Sequence, residues 1–95
     1  MAVTRVRWTR SALADLFAIG RYIDQDNPQA ARSVVNRIEV AGNHLTEFPE
    51  RGRLGRVEGT RELVIPRLPF IIVYRLAAGE VELLSILHGA QQYPP

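Results

Sequence analysis

The sequence predicts an α+β domain in the order β-α-α-β-β-β, in which a helical hairpin packs on a small antiparallel sheet. Two segments carry apolar residues at helical spacing, and four others show the alternation or short apolar runs of strands. Only a few residues separate the two helical segments, so the helices should pair as an antiparallel hairpin. The chain has 95 residues, 46% of them hydrophobic, which predicts one domain over residues 1–95.

The first half of the chain supplies one strand and the first helix. The strand is predicted over residues 3–8, where apolar and arginine side chains alternate. The first helix is predicted over residues 11–24, because its apolar residues form one stripe. Thr9 or Ser11 can cap its N-terminus with a side-chain oxygen.

The second helix has clear signals at both ends. Asn27 followed by Pro28 is a typical helix start, a capping residue and then a first-turn proline. The apolar stripe continues to Phe48, and Pro49 disfavours the helical conformation in the residue before it. The second helix is therefore predicted over residues 28–47.

The second half of the chain predicts a loop and three strands. The glycine- and arginine-rich segment ERGRLGRVEGT is predicted to be a loop. Strands are predicted over residues 61–65, 70–76 and 81–87, with a tight turn at residues 77–80 between the last two. These strands predict an antiparallel sheet of three or four strands, covered on one face by the helices.

The composition narrows the class of protein. The absence of cysteine excludes disulfides and thiolate metal sites and suits a reducing cytoplasm. The two histidines, His44 and His88, make a poor metal-ligand set, and no phosphate-binding glycine loop or nucleophile motif occurs. No apolar run is long enough to span a membrane, and no signal peptide is recognisable. We predict a soluble cytoplasmic protein without a metal or cofactor.

All twelve cations are arginines, and they concentrate in the middle of the chain. Residues 51–67 hold five arginines and two glutamates, a net charge of +3. One interpretation is structural, with Arg61 pairing to Glu82 or Glu62 across strands. The other is a basic surface for an acidic partner, since guanidinium groups suit phosphate and carboxylate recognition. The sequence leaves both interpretations open.

Four motifs carry a resemblance to a known family. In chain order they are LTEFPERGR, GTREL, PFIIVYRL and LHGA. In this order and spacing they resemble the RelE/ParE superfamily of toxin–antitoxin toxins, and the resemblance covers essentially the whole chain. It implies the toxin of a type II module for plasmid stabilisation or stress, encoded beside a small ParD-like antitoxin that binds and neutralises it.

The superfamily divides by target. RelE-like toxins are ribosome-dependent endonucleases that cut messenger RNA, and they carry an arginine where this chain has Ile71. They also place basic residues near the C-terminus, where this chain ends in the cation-free HGAQQYPP. ParE-like toxins instead poison DNA gyrase, and GTREL, PFIIVYRL and LHGA resemble that branch more closely. The resemblance therefore implies a gyrase-inhibiting binding protein, with no catalytic residues and no sequence-specific nucleic-acid binding.

Two alternatives remain open at this point. A ribosome-dependent nuclease would stabilise charge on the phosphate and activate the 2′-hydroxyl of the RNA. It would rely on Arg61, Arg75, His88 and Tyr93, with His88 as acid or base. A decayed toxin would be an inactive binding module without a target.

The predicted binding residues fall into two sets. Target-binding residues are predicted on and beside the sheet: Arg53, Arg56, Arg61, Arg67, Arg75 and His88. Antitoxin-binding residues are predicted along the first strand and helix: Trp8, Leu13, Phe17 and Arg21. The antitoxin is expected to lay an amphipathic segment along a groove beside the hairpin and sheet, giving a hetero-oligomer.

Overall fold

The computed structural model describes residues 5–94, which form two helices and one five-stranded sheet of order β1-β5-β4-β3-β2. The elements in chain order are β1 (Arg5–Trp8), α1 (Arg10–Asp24), α2 (Pro28–Asn43), β2 (Arg53–Leu54), β3 (Arg61–Val64), β4 (Phe70–Ala77) and β5 (Glu80–His88). Both helices pack on one face of the sheet, which confirms the predicted α+β class. None of the helices within residues 5–94 is long and apolar enough to cross a membrane.

The helix starts agree with the capping signals. The Thr9 hydroxyl accepts a hydrogen bond from the Ala12 amide at 3.2 Å, and α1 begins one residue earlier than predicted. Asn27 Oδ1 accepts from the Ala30 amide at 3.1 Å, with Pro28 in the first turn of α2. Each cap satisfies one backbone N–H that a helix start leaves without an intrahelical partner.

The predicted end of α2 at residue 47 is wrong. The helix ends at Asn43, and the chain continues as a single 3₁₀ turn, His44–Thr46. Helices commonly tighten in this way at their C-termini. Leu45 remains buried in the tighter turn, at 1% exposure. The apolar stripe therefore continues beyond the end of the α-helix, so the stripe alone predicts a helix that is too long.

The prediction of a purely antiparallel sheet of three or four strands is also wrong. Strands β2 to β5 pair antiparallel, but β1 adds to β5 in parallel, with Val6 beside Val81. The short strand β2, the fifth strand, lies within the segment ERGRLGRVEGT that was predicted to be wholly a loop. Alternation in a sequence shows on which face of the sheet a residue lies. It does not show which strand lies beside it or in which direction that strand runs. Val3, the predicted start of β1, lies outside the described residues.

The hairpin between β4 and β5 has the predicted tight turn. Its two central residues, Ala78 and Gly79, have φ angles of 53° and 76°. Positive φ at both positions matches the twist of a two-residue hairpin loop. This turn brings β5 back along β4 and sets the register of the central pair of strands.

The core lies between the helices and the sheet. Ile38, Ile72 and Leu83 are fully buried there, Leu16 is 5% exposed, and Val35 packs against the cluster from α2. The predicted stripes therefore face a common core. The other sheet face, called the open face below, carries a smaller apolar cluster and most of the ion pairs: Ile71, Val73, Leu84, Leu87 and Tyr93, then Arg7, Arg53, Arg56, Glu62, Arg75 and Glu82.

Candidate functional site

A buried carboxylate organises the arginine-rich loop. Glu62 lies on the open face of β3 with a side chain 1% exposed. Its Oε1 accepts from Nη2 of Arg53 and from Nη2 of Arg56, each at 3.1 Å. Its Oε2 accepts from Nε of Arg56 at 3.1 Å and from the Arg56 amide at 2.9 Å. Arg56 is thus held in the two-pronged geometry that gives arginine–carboxylate pairs their directionality.

This environment changes the acidity of Glu62. Hydrogen bonding from the Arg56 side chain is the main cause that lowers the pKa of Glu62 to about 2, against the opposing effect of burial. The same hydrogen bond raises the pKa of Arg56. Glu62 is therefore ionised throughout the physiological range, and both arginines keep a charged partner.

Glu62→Gln should lower the free energy of unfolding by roughly 2 kcal/mol near pH 7, because it removes the charge that Arg53 and Arg56 stabilise. The value is smaller than the free-energy equivalent of the full pKa shift, because the partner arginines are partly exposed to solvent. The folded-state pKa lies below the unfolded value of 4.5, so the stabilisation is complete above pH 4.5 and disappears as pH falls towards 2. Urea unfolding of both proteins from pH 2.5 to 7 measures this. The difference between them should shrink with acidification.

Glu58→Gln is the matched control for this experiment. Glu58 is an exposed glutamate of the same loop. Its substitution should change stability little, because the side chain is exposed. A pH-independent difference between Glu62→Gln and the parent chain would show that the Glu62 charge does not contribute as described.

Arg61 stabilises the start of the same loop from the other side of the sheet. Its Nη1 donates to the carbonyl oxygens of Gly52 at 2.8 Å and Glu50 at 3.3 Å. Its Nη2 lies 3.7 Å from the Glu50 carboxylate. The structural interpretation, in which Arg61 pairs with Glu82 or Glu62, is therefore wrong in its partners. Adjacent residues of a strand face opposite ways, and both glutamates lie on the open face.

Tyr74 fixes the loop at a third point. Its fully buried hydroxyl accepts from the Gly52 amide and donates to the Pro49 carbonyl, both at 2.8 Å. Burial raises the pKa of this hydroxyl, so it stays protonated and can donate. Tyr74, Arg61 and Glu62 together hold the segment that the motif FPERGR begins.

Arg75 also has an internal partner. Its Nε lies 2.6 Å from Oε1 of Glu82 on the open face, and Arg7 binds the other oxygen of that carboxylate. Arg67 differs, since it lies exposed between β3 and β4 with φ 66° and makes no ion pair within residues 5–94. The guanidinium-bearing side chains of Arg53, Arg56 and Arg75 nevertheless remain 41–58% exposed.

The six predicted target-binding residues form two groups along the sheet. One group comprises the four arginines just described, Arg53, Arg56, Arg61 and Arg75. The other comprises Arg67 and His88, since His88 pairs with Phe70 at the opposite end of β4. Phe70 and Arg75 are five residues apart on β4, roughly 17 Å at the rise of a strand.

His88 has defined surroundings. Its Nδ1 accepts from the Ala90 amide at 3.1 Å, which places the proton of the neutral ring on Nε2. The ring stands edge-on to Phe70, with centroids 5.8 Å apart. Neither Arg61 nor Arg75 lies at this end of the sheet. The structure therefore does not bring the four alternative nuclease residues together.

An apolar groove runs between the two helices. Its volume is about 410 Å³, and its lining residues are Leu13, Leu16, Phe17, Gly20, Arg21, Asp24, Ala31, Arg32, Val35 and Glu39. We call it the helical groove. Phe17 is 65% exposed and Leu13 39% exposed, so both present apolar surface to solvent. Two arginines and two carboxylates at the rim balance in charge.

Three of the four predicted antitoxin-binding residues line the helical groove: Leu13, Phe17 and Arg21. Trp8 does not line it. The Trp8 indole Nε1 donates to Asn43 Oδ1 at 3.0 Å, and its ring packs against the core. Trp8 is half-buried because β1 lies beside β5 and under the end of α2, a placement that the sequence alone did not indicate.

Sequence reasoning missed the roles of Glu62 and Tyr74. The sequence indicates Glu62 only as a possible partner for Arg61, and Tyr74 only as a strand residue. One sequence signal could have indicated the role of Glu62. Alternation along the strand places Glu62 on the sheet face opposite to that of Leu63, and the arginines of the preceding loop are close to it in sequence. Within residues 5–94, no group of three or more histidine, aspartate or glutamate side chains lies close enough to hold a metal ion.

Solved structures share this fold. A chain of the chromosomal ParDE TA system from P. aeruginosa superposes with a TM-score of 0.86 and 30% identity, over 93% of this chain and 98% of that chain. A chain of the toxin–antitoxin complex RelBE2 from Mycobacterium tuberculosis superposes with a TM-score of 0.61 and 27% identity, over 96% and 97%. Fold and site together thus define a protein of the RelE/ParE class.

Sequence comparisons identify the family. Residues 6–93 match the family described as ParE toxin of type II toxin–antitoxin system, parDE. Y4kP of Sinorhizobium fredii is 48% identical over 94 residues, covering 99% of this chain and 97% of that protein. Toxin RelE2 of Caulobacter vibrioides is 42% identical over 89 residues, covering 94% and 99%. The chain belongs to the ParE toxin family of type II toxin–antitoxin systems, which confirms the resemblance and the assignment as a toxin.

Proposed function

We propose that this toxin inhibits DNA gyrase by binding it, without catalytic residues of its own, and that a cognate antitoxin neutralises it. Relatives carry both ParE and RelE names, so the choice of target rests on the residues of this chain. The observation that carries the proposal is the separation of Arg75 from His88 at opposite ends of the β4–β5 ladder.

Phosphate-cleaving chemistry requires positive charge and a proton-transfer group around one reacting phosphate. Here the guanidinium of Arg61 is committed to two loop carbonyls, and that of Arg75 to Glu82. His88 lies roughly 17 Å away along the strand from Arg75. This arrangement favours a binding surface over a nuclease site.

A binding surface uses the same arginines in another way. Arg53, Arg56 and Arg75 are held in place by buried carboxylates while much of each side chain stays exposed. Side chains that are already ordered lose less entropy on association, which favours affinity. Arg67, without an ion pair in the described part of the chain, would gain a partner only in the complex.

The antitoxin is proposed to occupy the helical groove. The related structures come from a ParDE system and a RelBE2 complex, which supports a partner of the same kind here. The groove joins exposed apolar side chains to a rim of charged groups, as an interface with an apolar centre and polar edge requires. An amphipathic segment fits this pattern, with its apolar side chains around Phe17.

Parallel target assays test the proposed function. The purified toxin should abolish gyrase supercoiling or trap cleaved DNA, and it should leave messenger RNA on translating ribosomes intact. Messenger RNA cleavage that His88→Ala abolishes, with gyrase unaffected, would assign the ribosome-dependent nuclease instead. A toxin inert in both assays and harmless to growth would be an inactive binding module.

A further inference from the structure

The C-terminal tail, residues 89–94, turns back from β5 onto the open face. The Gly89 amide donates to the Pro69 carbonyl at 2.6 Å, and the Gln91 amide donates to the His88 carbonyl at 2.9 Å. Beyond this turn, Tyr93 packs against the apolar cluster of Ile71, Val73 and Leu87. The tail therefore begins at the His88 end of the sheet and lies across the open face.

The side chain of Arg56 meets the tail there. Its Cζ lies 5.3 Å from the centroid of the Tyr93 ring, within the range of a cation–π contact. Arg56 has little freedom to lie elsewhere, because its Nε, Nη2 and backbone amide all donate to Glu62. The buried carboxylate of Glu62 thus determines where the cation that covers Tyr93 is placed.

The tail also connects the two groups of predicted target-binding residues. It starts next to His88, and it reaches Arg56 through Tyr93. With the tail in place, the open face presents the Tyr93 ring and the side chains of Arg53 and Arg56 as one surface.

We propose that Glu62 is a positioning residue for toxicity, which acts through Arg56 to hold Tyr93 and the C-terminal tail on the open face as part of the target-binding surface. This inference rests on the proposed function as a toxin that acts by binding. It assigns Glu62 no contact with the target. Glu62 orients Arg56, and Arg56 in turn contacts Tyr93.

Hydrogen exchange of the Gly89 and Gln91 amides measures tail placement directly. Arg56→Gln should speed their exchange roughly threefold or more, a factor that matches a partly exposed cation–π contact. Arg53→Gln removes the other ion pair of Glu62 without touching Tyr93, and it should leave tail exchange unchanged. Arg5→Gln removes an open-face ion pair with Glu80 and is a second control. Equal exchange in all variants would overturn the positioning role.

Growth arrest after induction measures the consequence for toxicity without presupposing the target. Glu62→Gln, Arg56→Gln and Tyr93→Ala should each weaken arrest, whereas Arg5→Gln should retain it. The Glu62→Gln/Arg56→Gln double variant should arrest growth as strongly as Arg56→Gln alone, because Glu62 acts through Arg56. The Arg56 side chain is partly exposed, so Arg56→Gln should still fold. It therefore tests the inference even if Glu62→Gln fails to fold.

The outcomes separate the inference from the assignment of the target. Independent, additive effects of Glu62 and Arg56 would overturn the positioning role, whatever the target. Another outcome is that growth arrest weakens in the same variants that speed exchange of the tail amides, while gyrase supercoiling is unaffected by the toxin. That result would support the inference and refute gyrase as the target. Full arrest by Tyr93→Ala would overturn the inference and leave the gyrase proposal standing.

Discussion

Gly52→Ala should lower the free energy of unfolding by about 2–3 kcal/mol, the upper part of the range for overpacking a closely packed site. Gly52 is buried. A Cβ on this residue would lie 2.7 Å from both Cε1 and the hydroxyl oxygen of Tyr74, and 3.0 Å from the Glu62 carbonyl oxygen. The motif FPERGR therefore needs glycine at this position because of close packing.

Neither the Tyr74 ring nor the Glu62 carbonyl can move away without a loss of stability. The Tyr74 ring is fully buried, and its hydroxyl bonds to both the Gly52 amide and the Pro49 carbonyl. The Glu62 carbonyl belongs to a strand paired on both sides, with β2 and β4. Relief would have to come from the loop, at the expense of the Gly52–Tyr74 hydrogen bond.

Thermal unfolding followed by circular dichroism measures this effect. The midpoint should fall by about 10 °C for a domain of this size. Gly89→Ala is the matched control, because a Cβ there would meet only the Pro69 carbonyl oxygen at an ordinary 3.5 Å. Its midpoint should stay close to that of the parent chain. Equal midpoints for the two variants would show that the Gly52 site relaxes freely.

Phe17→Asp should weaken antitoxin binding by at least about 30-fold, since loss of a central aromatic anchor costs about 2 kcal/mol or more. Phe17 is 65% exposed in the free toxin, at the helical groove. Aspartate removes the apolar contact area and puts a charge where a bound partner would exclude water. The folded toxin should tolerate the change, because Phe17 contributes little to the core.

Tyr22→Asp is the matched control for the groove. Tyr22 is an aromatic residue of the same helix and is 75% exposed, but it lines a separate pocket with Leu68 and Phe70. Titration of the purified antitoxin against each variant, with thermal midpoints as a check on folding, compares them. An antitoxin that binds Phe17→Asp normally, or that loses equal affinity for Tyr22→Asp, does not occupy the helical groove.

Local signals in the sequence predicted much of the fold. The cap at Asn27, the tight turn at residues 77–80 and the apolar stripe through Ile38 depend on neighbours within a few residues. Such preferences act in the same way wherever the segment is placed. The helical hairpin and the order of all elements except the short strand β2 could therefore be predicted without knowing which strands pair.

The candidate site was predicted less completely. Leu13, Phe17 and Arg21 share one side of α1, so helical periodicity was enough to group them. The sequence also indicated that Arg53 and Arg56 lie near the sheet. It did not indicate that one carboxylate, Glu62, holds both.

Local patterns in the sequence are enough to predict the two helices, the four longer strands, the buried faces and the concentration of arginines around β3. The parallel pairing of β1 with β5, the binding of Arg61 to loop carbonyls and the contact of Arg56 with Tyr93 follow only from the folded arrangement. The reason is physical. Periodicity records the face on which a side chain lies, whereas partners distant in sequence are selected by packing of the whole domain and by the need to satisfy buried charges such as Glu62.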